Sequence, residues 1–348
     1  MAKPRVGIVG ISGYYAFSFA EALWTNHDVD FAAASTWPPE EERGIEGIRM
    51  MTPTEYGERF GVTMYDDPLT MITRESLDGV SLCGHAMDHL QMVEAIAPTG
   101  VSLFFDKPVA LTLDETDQIA SLIRKHGNKS GACQPARYED AIRQAKAYVD
   151  DGGMGDLLTV RAFLSHSGIR SETIVPVPRP DVHFAYYTAD LTQWFMDWTP
   201  PKSAFAIYAK LVPEDLQPTD NAKGIVEFED GRIGSMDLYC TPLWGGPLFE
   251  IEAIGTNGFV RTSQSVGRGT LFTKEGNTAF QADQDDIRRV HFNELNAWVS
   301  AVARGEDCEL SVELARKVME LCVAWKLSSD ERRTVHFPLT SSTVRIGP

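Results

Sequence analysis

Apolar and polar positions change their rhythm once along this chain. Residues 5 to 23, RVGIVGISGYYAFSFAEAL, begin with a short apolar run, Val6 to Val9. A glycine turn and an amphipathic segment, Phe17 to Leu23, follow. Apolar runs recur at 28–35, 79–84, 101–106 and 130–135, with helical spacing between them at His89 to Ile96 and Asp114 to His126. The stretch from 36 to 78 reads as a long connection. Strand and helix in alternation predict parallel strands joined by crossovers, hence a doubly wound sheet. Ligands of such sheets sit at the carboxyl ends of the strands, where Gly10, Ser35, Gly84 and Asp106 fall.

After YVDDGGMGD (148–156) the period becomes two. LLTVRAFLS, SAFAIYAKL, KGIVEFEDGRIGSMDLYC, FEIEAIGTNGFVRTS and GTLFTKEG read as strands, with EDGR and TNG as hairpin turns. Helices are predicted over Phe184 to Asp197, Ile287 to Ala303 and Val312 to Leu327. The fold class is therefore α/β followed by α+β, a parallel sheet and then a mostly antiparallel open sheet flanked by helices. The predicted domains are 1–130, for nucleotide binding, and 131–348, for substrate binding and oligomerisation, with the last helices able to pack back on the first.

A length of 348 residues suits two domains. No apolar run approaches the ~20 residues that span a bilayer. The start, MAKPRVGIVG, runs into a strand without a basic and then apolar leader, which reads as cytoplasmic. A net charge of −17 argues against a nucleic-acid backbone as partner. Five cysteines, an odd number with no C-x-x-C, read as reduced thiols. His85 and His89 have the spacing of a metal pair on one helix face, but no further ligands are spaced near them, so no metal is expected.

At FFDKPVALTLDETDQIASLIRKHG the chain resembles the glucose-fructose oxidoreductase / inositol dehydrogenase (Gfo/Idh/MocA) family. Phe105-Asp106-Lys107-Pro108 resembles that family's Glu-Lys-Pro signature, with aspartate in place of glutamate. VSLCGHAMDHLQMVEAI resembles its strand and helix with a histidine, here His89. DDGGMGDLLTVRAF, GIVEFEDGRIGSMD and the segment from Phe292 to Pro338 resemble its later parts in the same order. The resemblance implies a Rossmann domain that binds NAD or NADP, and a lysine, Lys107, near the nicotinamide and the reacting hydroxyl. Gly84, His85, His89 and Asp106 then belong to the cofactor side. A lysine at a strand's carboxyl end can also hydrogen-bond a developing alkoxide.

Aligned on Gly-x-Gly-x-x-Gly, the first loop reads Gly10, Ser12, Tyr15, with two glycines lost. Read as Gly10-x-x-Gly13-x-x-Ala16, it keeps small residues at each place. This spacing resembles the Gly-x-Ser-Gly-Tyr loop of N-acetylglutamyl-phosphate reductases and aspartate-semialdehyde dehydrogenases, which use NADP. Gly10, Ser12, Gly13 and Tyr14 are the candidate pyrophosphate loop. The second strand ends in Ser35-Thr36 rather than the acid that NAD-preferring units place on the ribose. That favours NADP over NAD.

The family's Asp-x-x-x-His-x-x-Asp helix reads HFAYYTAD here. His183 stands for the first aspartate, Tyr187 for the histidine, and Asp190 is retained. Residues four apart stack on one helix face, as His183 and Tyr187 would. Lys107, Tyr187 and His183 are the candidate catalytic residues of an oxidoreductase acting on a CH–OH carbon of a sugar, sugar acid or cyclitol. A regulatory protein that keeps the fold without turnover is the alternative. His166, Arg170, Arg179, Asp190 and Trp244 are candidate substrate residues. Relatives with this sheet commonly pair through it, so a homodimer or homotetramer is expected.

Overall fold

The computed structural model describes residues 3–11, 14–37, 51–165, 180–211, 221–239, 248–263, 268–281 and 287–339. The chain forms two compact units, one from Met1–Gln134 with Ile287–Arg316, the other from Pro135–Ser171, Pro176–Asp286 and Lys317–Pro348.

In the first unit the elements run β1 (Arg5–Val9), α1 (Tyr14–Thr25), β2 (Asp30–Ser35), α2 (Pro53–Phe60), β3 (Thr63–Tyr65), α3 (Pro68–Glu75), β4 (Gly79–Leu82), α4 (His89–Ile96), β5 (Ser102–Phe105), α5 (Leu113–His126) and β6 (Ser130–Ala132). The strands form a parallel sheet in the order β3-β2-β1-β4-β5-β6. The order reverses beside β1, which places the crevice for a ligand at the carboxyl ends of β1 and β4.

The stretch read from sequence as a connection holds α2, β3 and α3. Each helix is eight residues long and buries few apolar side chains, Tyr56 and Phe60 in α2 and Pro68, Met71 and Ile72 in α3, so little apolar spacing marks it, but both are capped. Thr52 and Glu55 form a capping box at α2, and the Asp67 carboxylate accepts from the Thr70 N–H at α3. The hydroxyl and N–H of Thr70 hold the Asp67 carboxyl below the usual carboxylate range. A second capping box, Thr112 with Glu115, starts α5, and Gly127 ends it in the left-handed region at φ 72°.

The second unit begins with a short turn, Pro135–Tyr138, and α6 (Asp140–Asp150), followed by β7 (Leu157–Ser165), α7 (Pro180–Phe195), β8 (Pro201–Ala209), β9 (Asn221–Phe228), β10 (Ile233–Tyr239), β11 (Leu248–Gly255), β12 (Gly258–Ser263), β13 (Arg268–Thr273) and β14 (Gly276–Gln281). The chain then forms α8 (Ile287–Arg304), α9 (Val312–Glu331) and β15 (Val335–His336). The sheet order is β14-β13-β12-β11-β7-β10-β9-β8-β15, antiparallel except for the parallel pair β7 and β10. The expected architecture is the observed one. Sequence reading missed α6 and β14. β14 buries almost nothing, so no alternation marks it.

α8 belongs to the first unit. Trp298 on α8 is fully buried, its ring 5.4 Å from that of Phe104 and its Nε1–H donating to Ser102 Oγ at 3.3 Å. With Val6, Ile8, Phe19 and Leu23 it forms the core on that side, each such side chain contributing about 1.5–3 kcal/mol. In the second unit, Trp325 on α9 donates to the Ile225 carbonyl at 3.1 Å. Ser328 and Ser329 accept from the N–H groups of Ala206 and Tyr208, each at 3.0 Å. These serines satisfy edge groups of β8 that β15 does not reach. The opposite sheet face exposes Ile207, Ile225, Ile233 and Ile254 beside the ion pairs of Asp237 with Arg161 and Lys223.

Candidate active site

Lys107 follows β5 at the carboxyl edge of the parallel sheet and is 4% exposed. Its ammonium lies 5.6 Å from the ring centroid of Tyr15 on α1. Tyr15 is the residue that replaced a glycine of the usual loop, and its ring packs edge-on to His291 of α8 at 5.6 Å. Beside them Glu294, also on α8 and buried, accepts from the Gln134 N–H and from the Cys133 thiol at 3.4 Å. His291 Nδ1 stands 3.4 Å from the same carboxylate. Burial pushes the Lys107 amine down from 10.5 to about 7, against the opposing pull of Cys133, Asp106 and Glu294. Burial also raises the Cys133 thiol well above its usual range, so it is no nucleophile. Tyr15, Cys133, His291 and Glu294 were missed from sequence. The three-residue spacing of His291 and Glu294 on one helix was the available signal.

Asp106 is paired differently. His89, fully buried at the start of α4, has Nδ1 2.9 Å from the Val109 carbonyl and Nε2 3.0 Å from Asp106 Oδ1. A carbonyl only accepts, so Nδ1 carries a hydrogen. The Nε2 contact is off-line for a hydrogen bond, and we read it as an ion pair because a bare nitrogen and a bare carboxylate would repel at that distance. Burial by itself would lower His89. The Asp106 carboxylate and the Val109 carbonyl outweigh it, so His89 lies above the ordinary histidine value. Burial raises Asp106, opposed by His89, Lys107 and His85. His85 precedes α4 in a turn and does not share a helix face with His89.

The edge nearer β1 fits a nucleotide. Gly10 has φ 85°, and a Cβ there would sit 3.0 Å from the Cys83 carbonyl oxygen and 3.1 Å from the Gly84 nitrogen. Only glycine allows that turn and that approach. At the end of β2, Ser35 Oγ and Thr36 Oγ1 are buried without a hydrogen-bond partner among the described residues. Unsatisfied hydroxyls at the ribose position are what a bound polar group would complete. Ala16 is fully buried and its carbonyl accepts from the Tyr56 hydroxyl at 3.0 Å. Ser12 and Gly13 lie outside the described residues, as does the side chain of Tyr14.

In the second unit, Tyr187 lies on α7, 7% exposed, its ring 4.9 Å from that of Phe249 on β11. His183 is on the same helix, one turn earlier, its side chain outside the described residues. Asp190 is fully buried, and both its oxygens accept from Arg137, Nε to Oδ2 at 2.7 Å and Nη2 to Oδ1 at 2.6 Å. The guanidinium also stacks with Trp194 and Trp198, at 5.1 and 5.0 Å. This ties α7 to the turn Pro135–Tyr138 and gives Asp190 a structural task. His166, Arg170, Arg179 and Trp244 lie outside the described residues.

Two family models match in sequence. Residues 4–132 match an oxidoreductase family with an NAD-binding Rossmann fold, and residues 142–261 match the GFO/IDH/MocA C-terminal domain. The chain belongs to the Gfo/Idh/MocA oxidoreductase family. The myo-inositol 2-dehydrogenase of Thermotoga maritima is 23% identical over 347 residues, covering 95% of this chain and 98% of the relative. The D-apiose dehydrogenase of Paraburkholderia graminis is 30% identical over 303 residues, covering 80% of this chain and 78% of the relative. Among solved structures, an Agrobacterium radiobacter oxidoreductase in complex with NAD+, L-tartaric acid and magnesium superposes with a TM-score of 0.82 at 17% identity, covering 96% of this chain and 98% of that one. A levoglucosan dehydrogenase in complex with NADH gives 0.81 at 15% identity, covering 96% and 99%. These two similarities concern the fold. This Gfo/Idh/MocA member is thus an oxidoreductase with an NAD(P)-binding Rossmann unit. No helix among its described residues is long and apolar enough to cross a membrane.

Proposed function

We propose that this protein moves a hydride between NADP(H), in preference to NAD(H), and the CH–OH carbon of a sugar, sugar acid or cyclitol. The observation that carries the reading is Lys107, a buried amine at the strand edge whose proton affinity is brought to about 7. When bound, the nicotinamide accepts or gives the hydride. As an ammonium, Lys107 stabilises negative charge growing on the reacting oxygen; as an amine, it takes the hydroxyl proton. Tyr187, supported by His183, is proposed as the second proton-handling group. The relatives named above are dehydrogenases of a cyclitol and a sugar, which supports catalysis over a sensing protein without turnover.

The preference for NADP rests on Ser35 and Thr36, whose unsatisfied hydroxyls can donate to a 2′-phosphate where an acid would repel it. The thiols of Cys83, Cys133, Cys308 and Cys322, none in a disulfide, suit a reducing cytoplasm. The isoleucines exposed on the sheet of the second unit suit a homo-oligomer through that face. Calorimetric titration of both nucleotides, followed by hydride-transfer assays on a panel of sugars, sugar acids and cyclitols, tests the proposal. Tighter NAD(H) binding overturns the cofactor preference, and absence of turnover across the panel overturns the reaction.

A further inference from the structure

Asp106 precedes the lysine on which the proposed reaction rests, yet its carboxylate faces a histidine. We propose that His89 and Asp106 hold one buried proton between them, and that this neutral pair keeps Asp106 from acting as a full counter-ion to Lys107, so that Lys107 can release its own proton. The argument starts from atom count. Nδ1 must donate to the Val109 carbonyl at 2.9 Å, and Nε2 meets Asp106 Oδ1 at 3.0 Å. Only a proton makes the second approach attractive, and because the contact is off-line for a hydrogen bond, it is the imidazolium facing the carboxylate as an ion pair.

Charged and titratable neighbours among the described residues enter the balance. Asp88 adjoins His89, and His85 and Cys83 bear on Asp106. Lys107 faces the Tyr15 ring from α1, Cys133 after β6, and Glu294 from α8, where His291 backs the carboxylate. Glu294 is already engaged by the Gln134 N–H and the Cys133 thiol. Asp106 is therefore the carboxylate whose charge is most open to adjustment. With His89 present, two protons are distributed over three sites, and Lys107 can lose one near neutrality. Without a basic group at 89, Asp106 and Lys107 share a single proton as an ion pair, and Lys107 becomes neutral only at higher pH. Without the carboxylate, Lys107 loses an attractive charge and becomes neutral at lower pH. His89 is thus a positioning residue that acts through Asp106 on the reacting amine.

The inference rests on the reading that Lys107 works at the reacting hydroxyl, and its test does not need turnover. In wild-type protein without nucleotide, long-range 15N NMR of the histidine rings, assigned with His89→Gln, follows the protons on His89. The proton affinity of Lys107 is read by competitive acetylation against pH with mass spectrometry, in wild type, His89→Gln and Asp106→Asn. His89 is expected to keep its protonation pattern across the neutral range. The Lys107 midpoint is expected to rise by about one pH unit in His89→Gln and to fall by about one in Asp106→Asn, the size typical of a neighbouring charge. Shifts of the same sign, or no shift in either variant, overturn the proposal. So does a wild-type His89 whose Nε2 loses a proton at the ordinary histidine value, a result that needs no variant to fold. Loss of the opposite shifts while Lys107→Met still abolishes hydride transfer defeats the pair alone. Normal hydride transfer by Lys107→Met defeats the catalytic reading and leaves the pair to the titrations.

Discussion

Lys107 and Arg137 are both buried cations, one in each unit, and they have been given opposite surroundings. Arg137 is met by a carboxylate with two parallel hydrogen bonds and by two indole rings. Lys107 has an aromatic face and two carboxylates that are also engaged by other groups, and burial drops its proton affinity to about 7. A guanidinium cannot be deprotonated, so burying one demands a matched partner. An ammonium can escape the burial penalty by losing a proton, and a site that leaves it that option makes a reagent of it.

The largest effect should come from Lys107→Met, which removes the amine and keeps the length. Turnover is expected to fall ~100- to 10,000-fold. Stability should move the other way. Because the folded lysine titrates at about 7 and the unfolded one at 10.5, the unfolded chain binds more protons between those values. The penalty for burying the charge is thus complete below about pH 7 and fades as pH rises toward the unfolded value. Lys107→Met should therefore raise Tm, more at acid than at alkaline pH. An equal loss of Tm at all pH values would show that the lysine is structural after all.

Arg137→Met tests the other half of the contrast. It strands Asp190, which is fully buried, and should destabilise by about 3–5 kcal/mol in chemical unfolding. Adding Asp190→Leu should return a large part of that loss. If the double variant is no more stable than the single, Asp190 has work beyond the ion pair and the substrate role expected from its sequence position regains ground.

Smaller effects are expected on α7, at Tyr187 and then at His183. Tyr187→Phe deletes one hydroxyl and should slow turnover by about 100-fold, the lower end for a positioned acid, because Lys107 retains a proton of its own. His183→Asn should cost less. Wild-type turnover in Tyr187→Phe together with inactivity in His183→Asn would make His183 the proton donor and shift the helix register of the proposed site.

Much of this was legible in the chain. Val6 to Val9 and the later apolar runs set the parallel sheet, and the Asp106-Lys107-Pro108 signature at the end of β5 marked the edge at which the reaction is proposed. Such features are local, since a buried strand needs a run of apolar side chains and a turn toward a phosphate needs glycine at Gly10, whatever lies elsewhere. The capped helices α2 and α3 escaped notice because they bury only two or three apolar side chains each, and β14 escaped because it buries too little to alternate.

What tertiary structure alone decided is the state of the charges. Lys107 owes its lowered proton affinity to burial, with Cys133, Asp106 and Glu294 pulling the other way; Glu294 comes from α8, nearly two hundred positions later in sequence, and the ring beside the amine is Tyr15, which looked in sequence like a lost glycine. His89 meets Asp106 across a crossover, and Arg137 meets Asp190 more than fifty positions on, past α6 and β7. A side chain's proton affinity depends on how much water it loses and which charges surround it in space. Neither quantity is a property of neighbouring letters, so the sequence could name the lysine but only the fold could set its proton affinity.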